Sequence, residues 1–263
     1  MVSILKIALE YTKTFGGRVI SFCQDEFLSN KGVLNESIVS TELGLKGIPS
    51  ISESINLYRD IEILSYSGGK IHIPYVTTSK GVNLIREAKK NNLDITASVS
   101  LAHITFSEKD IPEFNTNFKL IPPLRSESDL NSLKEGLIDG TIDYLTSMHE
   151  PFDIDNKINV FDNASSGSIG LESMFGLMSN QFTLEKTIDI LTRKKIIFEV
   201  DDHPIEIGSL ADLSLFNPDK NYNFSENHIL STSKNCAFID SKHKGIVYGS
   251  INGKNFTLNK LWT

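Results

Sequence analysis

The sequence predicts an α/β fold, with parallel strands joined by crossover helices and a small β unit at the C-terminal end. Three observations predict it. Over the first two thirds, short runs rich in β-branched residues alternate with stretches whose apolar residues recur at helical spacing. No hairpin signal separates those runs, so successive strands are joined by crossovers and run parallel. After about residue 195 the texture changes to β-like runs separated by turn signals. Four such strands suit half of a (β/α)8 barrel or a small doubly wound sheet, and periodicity alone does not choose between them.

The elements follow in order. Ile4, Leu5, Ala8, Leu9 and Phe15 make a helical run that Gly16-Gly17 stops. Residues 18–23 (RVISFC) are a first strand. Ser50-x-x-Glu53 has the form of a capping box opening a helix with Ile51, Ile55, Tyr58 and Ile61, ended by Gly68-Gly69. Residues 70–76 (KIHIPYV) are the second strand, and Val82, Ile85 and Ala88 stripe the next helix. Residues 94–100 are the third strand. Ser126-x-x-Asp129 caps a helix carrying Leu130, Leu133 and Leu137, with Gly140 after its end. Residues 142–148 are the fourth strand. The polar stretch 153–168 reads as a long loop, followed by helices near 168–178 and 184–193. In the tail, 196–200, 211–216 and 245–251 are β-like, Pro218-Asp219 is a turn signal, and Asn252-Gly253 predicts a hairpin. The division expected is 1–195 for the α/β part and 196–263 for the β unit.

Composition excludes several classes. The net charge of -7 opposes nucleic acid or an anionic membrane as partner, because both require a basic surface. No run of about 18 apolar residues marks a membrane span. The two cysteines, Cys23 and Cys236, lie far apart and lack metal-ligand spacing, which suits a reducing, cytoplasmic setting. The chain opens as if inside an amphipathic helix, so a truncated product is expected.

Five motifs then resemble one family. Lys119-Leu120-Ile121-Pro122-Pro123-Leu124-Arg125 is similar to KxNPPLR, and residues 135–143 to EGLxDGTID. Gly170-Leu171-Glu172, the stretch Ile205 to Leu213 (IxxGxxADL) and Gly32 to Glu36 (GVMNE-like) match in the same order. The family is the dihydroorotases, cyclic amidohydrolases of pyrimidine biosynthesis. The resemblance implies the last four βα units of a (β/α)8 barrel, followed by the C-terminal part of a small β domain. It also implies one or two zinc ions at the C-terminal ends of the strands, where they activate water and polarise the amide carbonyl.

The family's ligand positions are altered here. SHCED becomes Ser21 to Asp25, which puts Phe22 at a histidine ligand. HxxHVST becomes His72 to Thr78, which puts Tyr75 at the second. TDHAPH becomes Ser147 to Phe152, which puts Met148 at the catalytic aspartate and Phe152 at a substrate-contacting histidine. Ile121 replaces the substrate-contacting asparagine of NPPLR. Phe offers no donor, a thioether is a poor zinc ligand and no base, and a neutral phenol is at best a weak ligand. Degenerate positions Phe22, Tyr75 and Met148, with pocket positions Ile121 and Phe152, are therefore expected to pack the barrel mouth as a dry apolar plug without metal. By strand alternation His72 and His149 point away from the positions they might replace. His103 and Asn35 are expected to be structural, and Cys23 a small buried hydrophobe.

The expected function is a dihydroorotase-like pseudoenzyme with an assembly role. Its partner, by resemblance to non-catalytic homologues, is aspartate carbamoyltransferase. A homo-oligomer, or a separate polypeptide carrying the N-terminal half, would complete the barrel. Two alternatives stand beside it: an active zinc-dependent cyclic amide hydrolase whose N-terminal half is missing or supplied elsewhere, and a small-molecule binding module.

Overall fold

The computed structural model describes residues 2–193, 198, 200 and 204–259. Helix α1 (Val2–Thr12) leads through one 3-10 turn to Gly16, whose left-handed φ of 73° turns the chain into strand β1 (Arg18–Ile20). Helix α2 (Ile51–Ser67) precedes β2 (Lys70–Ile73), α3 (Ser79–Lys90) precedes β3 (Ile95–Ser100), and α4 (Glu127–Asp139) precedes β4 (Tyr144–Thr146). The four strands pair in parallel, in the order of the sequence. A doubly wound sheet would begin in its middle and reverse its strand order. This sheet does not, so the doubly wound alternative is set aside. The ladders are shorter than the predicted runs: the first stops at Ile20 and the fourth spans only Tyr144–Thr146.

Strand alternation gives the sheet two chemically different faces. Ile71 pairs with Ile95, Ile73 with Ala97, and Val99 with Leu145. All six are buried in one core with Leu57 and Leu64 of α2, Val82 and Ile85 of α3, and Leu133 and Leu137 of α4. Each fully buried Leu or Ile contributes about 1.5–3 kcal/mol, so this face drives the assembly of the helices onto the sheet. The opposite face carries Ile20, His72 and Thr96 in one row, and Ser98 with Tyr144 in another.

Two local expectations meet different outcomes. Ser126 caps α4 as predicted, its hydroxyl accepting from Asp129 N at 3.2 Å, and Gly140 ends the helix with φ 82°. Ser50 precedes α2 but makes no side-chain cap bond. Glu53 is used elsewhere: its carboxylate accepts from the backbone N–H and hydroxyl of both Thr77 and Thr78. The capping-box reading of Ser50-x-x-Glu53 is thus corrected. The glutamate bridges the entry of α2 to the end of β2, and four tertiary donors outbid the one local N–H.

The chain continues through α5 (Met174–Gln181) and α6 (Leu184–Thr192), the latter capped by Thr183, to an antiparallel sheet. Its strands are β5 (Asp212–Asn223), β6 (Lys242–Asn252) and β7 (Asn255–Leu258). The Asn252-Gly253 hairpin forms as predicted, with Gly253 at φ 57°. Pro218-Asp219 is not a turn between strands. It lies inside β5, at a register shift between Asn217 and Asn221, where a residue lacking N–H is tolerated. The predicted β run 196–200 falls mostly outside the described residues. The segment that joins β5 to β6 enters the main core: Phe224, Ile229 and Phe238 belong to it with Ile104 and Leu177. Gly176 of α5 lies so close to His243 that a Cβ would sit 2.4 Å from its ring. Among the described residues, no helix is long and apolar enough to cross a membrane.

Candidate functional site

The C-terminal ends of β1, β2 and β4 define the candidate site. Beyond β1, Ser21 and Cys23 both turn toward α2, where the Ser21 hydroxyl and the Cys23 thiol donate to Asp60. Asp60 is fully buried and paired with Arg59 at 2.7 Å. Alternation then sends Phe22 to the other side, where it keeps 44% of its surface exposed. The Cys23 thiol is pushed well up by burial and by the Asp60 charge, so it is an inert buried group and not a soft ligand.

At the end of β2, Tyr75 takes a left-handed φ of 55°, and at the end of β4, Met148 takes one of 47°. The rings of Phe22 and Tyr75 meet edge to face, with centroids 6.5 Å apart and an angle of 73° between planes. Met148 is buried, 5% exposed, behind the end of its strand. Phe152 is half-buried; its N–H donates to Asn235 Oδ1, whose amide in turn donates to Glu150 O and Gly167 O. Ile121 is 39% exposed. Phe22 and Tyr75 therefore come together as predicted, but the expected sealed plug is not observed. Phe22 and Ile121 remain substantially open, and the mouth is lined by an aromatic corner.

The chemistry of these side chains does not fit a zinc site. Burial, and secondarily the Glu150 charge, raise the Tyr75 phenol above its ordinary range and keep it neutral, which weakens it further as a ligand. No three His, Cys, Asp or Glu side chains gather with metal-binding geometry among the described residues.

The nearby histidines point elsewhere. His72 lies on the polar sheet face, with Nδ1 2.9 Å from Thr96 Oγ1, Nε2 3.1 Å from Ser98 Oγ and 3.0 Å from the Tyr144 hydroxyl, its ring stacked on Tyr144. Burial, then Arg18 and Lys89, lower its pKa to about 4, so it is neutral and fully engaged. His149 Nδ1 accepts from Leu171 N at 3.3 Å and stands 3.9 Å from Glu172. His103 bridges the Ser100 hydroxyl at 2.6 Å and Pro122 O at 3.0 Å, a structural tie.

The family-like motifs serve architecture. Arg125, 3% exposed, donates to Asn35 Oδ1 and Ile48 O, both at 2.7 Å, and Asn35 donates to Glu108. Lys119 binds the carbonyls of Asp162 and Ala164, and Lys157 binds those of Thr116, Ser165 and Gly167. Two buried ammonium groups thus fasten the 153–168 segment to Thr116 and Lys119 and tie its own two ends together.

No family model matches the chain. It is 36% identical over 263 residues to a dihydroorotase of Endomicrobium trichonymphae, covering 96% of this chain and 62% of that protein. It is also 36% identical to one from Caldanaerobacter subterraneus subsp. tengcongensis, covering 93% and 58%. The chain thus spans about three fifths of the length of the curated relatives it matches. Among solved structures, a D-hydantoinase superposes with a TM-score of 0.83 at 21% identity, covering 98% of this chain and 60% of that one. The inactive dihydroorotase-like domain of a Chaetomium thermophilum CAD-like multifunctional protein superposes with a TM-score of 0.56 at 18% identity, covering 76% of this chain and 55% of that one. At those identities the structural matches speak for the fold alone.

Proposed function

Since this chain is a homologue of the dihydroorotases over about three fifths of their length, we propose that it is a non-catalytic member of that group, retained for assembly. One observation carries the reading. Where the resemblance aligns the two metal-binding histidines, Phe22 and Tyr75 stand in ring contact at the ends of neighbouring strands. Where it aligns the catalytic aspartate, Met148 is buried. Ring opening of a cyclic amide needs an activated water, a polarised carbonyl and a proton acceptor near the leaving nitrogen. These three side chains supply none of them.

In this reading the parallel sheet is half of a (β/α)8 barrel. Its sequential strand order and one helix-covered face support that. In this reading the chain acts in the cytoplasm. Its partner is aspartate carbamoyltransferase, an assignment that rests on the resemblance.

The test is dihydroorotate turnover and zinc content of the purified chain. Turnover at background and no stoichiometric zinc are expected. Restoring Phe22→His, Tyr75→His and Met148→Asp together is expected to leave turnover at background, since Ile121 and Phe152 still replace the substrate contacts. Aspartate carbamoyltransferase should co-purify without added zinc. Enzyme-like turnover that a chelator abolishes would overturn the reading in favour of an active zinc hydrolase.

A further inference from the structure

Where α5 lies over the antiparallel sheet, a cavity of about 380 Å³ remains between them and reaches Leu145 of β4. Two glycines in its wall let the helix come this close: a Cβ on Gly176 would lie 2.4 Å from the His243 ring, and one on Gly245 2.7 Å from the Phe175 ring. Most of the lining is aliphatic or aromatic. Its aromatic part is continuous, since Tyr222 and Phe224 both pack on His228, with ring centroids 5.0 and 5.6 Å apart. Phe175 adds a ring from α5, itself tilted on Phe216 at 4.9 Å. The Tyr222 phenol is pushed up to about 12 by burial and so brings no charge.

Among the described residues that line this cavity, Glu172 is the only Asp, Glu, Lys or Arg. Its side chain is 15% exposed, so the carboxylate is neither sealed in protein nor open to bulk water. Oε1 accepts from Ser231 N at 2.9 Å. Oε2 receives no hydrogen bond among the described residues. The basic group beside it, His149, has Nδ1 3.9 Å away, and that nitrogen already accepts from Leu171 N at 3.3 Å, so it has no proton to give. One oxygen of a part-buried carboxylate is thus left without a donor at the wall of an aromatic cavity.

In such a cavity the apolar walls bury the body of a ligand and the few polar groups orient it. Here the orienting group is a single negative charge with one open oxygen. A guanidinium is a planar fork that takes both carboxylate oxygens, whereas an ammonium is a compact charge with rotatable donors and needs only one. A cation also gains from the faces of nearby aromatic rings. We propose that this cavity binds a primary ammonium carried on an aromatic body, its charge on Glu172 Oε2 and its ring among Phe175, Tyr222 and Phe224. The cavity includes none of Phe22, Tyr75, Ile121, Met148 and Phe152, so the proposal goes beyond the non-catalytic reading and is tested apart from it.

The experiment titrates the purified full chain, by ligand-observed NMR and calorimetry, with phenethylammonium, its neutral counterpart phenethyl alcohol and the anion hydrocinnamate. The ammonium should bind saturably and at least about tenfold more tightly than the alcohol, with hydrocinnamate weaker still. Glu172→Gln, which keeps an oxygen for Ser231 N, should lose about tenfold for the ammonium and little for the alcohol. Leu230→Lys, at an exposed position of the lining, should weaken the ammonium severalfold by like charge and leave the alcohol nearly unchanged. Circular dichroism checks that each variant folds; should Glu172→Gln fail, the alcohol comparison and Leu230→Lys still decide. Equal binding of ammonium and alcohol, or an ammonium affinity unmoved in the folded variants, would overturn the proposal. Tighter binding of hydrocinnamate would give the cavity the opposite preference and overturn it as well.

Discussion

Tyr75 and Met148, at the ends of neighbouring halves of the same parallel sheet, share a left-handed backbone conformation, with φ of 55° and 47°. Neither residue type favours it; the left-handed region costs a bulky side chain about 1–2 kcal/mol. Backbone strain of this kind persists where the surrounding fold over-determines it. At Tyr75 the ladder imposes it, since Val76 N is tied to Ser98 O at 2.9 Å and Thr77 N to Glu53 at 3.0 Å. Substituting this half-buried position should therefore rank by backbone tolerance, not by hydrophobicity. Tyr75→Asn is expected to be neutral or stabilising, and Tyr75→Val to cost about 1–2 kcal/mol more, read from urea midpoints. Equal midpoints would show that no strain is stored there.

Glu53 should be among the least replaceable polar residues. It is buried, accepts four hydrogen bonds from Thr77 and Thr78, and faces the charge of Arg125. Glu53→Ala leaves those donors unmatched and removes the main counter-charge of the buried Arg125 guanidinium, which keeps its bonds to Asn35 and Ile48, an expected loss of about 3–5 kcal/mol. Adding Arg125→Met should cost less than the sum of the two single changes, by more than about 1 kcal/mol. Additive losses would mean that the two charges do not interact.

What was legible in the sequence follows from the range of the interactions. Ser126 with Asp129, Gly140 and the Asn252-Gly253 hairpin depend on neighbours within a few residues, and all three appear as read. Ser50-x-x-Glu53 has the same local form, yet Glu53 is claimed by residues 24 and 25 positions away. Pro218-Asp219 looks like a turn until the partner strand is present to absorb it as a bulge. The aromatic meeting of Phe22 and Tyr75 was readable from motif alignment, because that alignment encodes which strand ends converge. The use of Lys157 was not, because its acceptors Thr116 O, Ser165 O and Gly167 O are brought together only by the tertiary fold.

The 153–168 segment should be held shut by charge. Lys157 lies beside Lys119, and burial followed by that like charge lowers its pKa to about 8. Three carbonyl acceptors favour the ammonium form and oppose that shift. Lys157→Met takes the ammonium from all three carbonyls; Thr116 O keeps Lys119 N and Gly167 O keeps Asn235 Nδ2, so Ser165 O loses its donor, with an expected loss of about 1–3 kcal/mol. Limited proteolysis should then cut within 153–168 much faster than in the parent chain. An unchanged cleavage rate would show that Lys119, through Asp162 O and Ala164 O, holds the segment alone.

Mild acid should weaken the fold through its buried histidines. Burial is the main cause that lowers the pKa of His72, His103 and His243 to about 4, against 6.5 for an exposed imidazole. The unfolded chain therefore binds more protons than the folded one between those values, and stability rises with pH across that window. The contribution is complete above about 6.5 and is lost as pH falls toward 4. For His103, 2% exposed and bonded through both ring nitrogens, the shift corresponds to about 3 kcal/mol. His103→Gln should lower stability at pH 7, where the parent has its full contribution, and should flatten the fall between pH 6.5 and 4.5. Urea unfolding at stepped pH measures both. If the variant and the parent lose stability in parallel across that window, protonation of His103 is not what acid acts on, and the Ser100–His103–Pro122 tie is unrelated to the acid response.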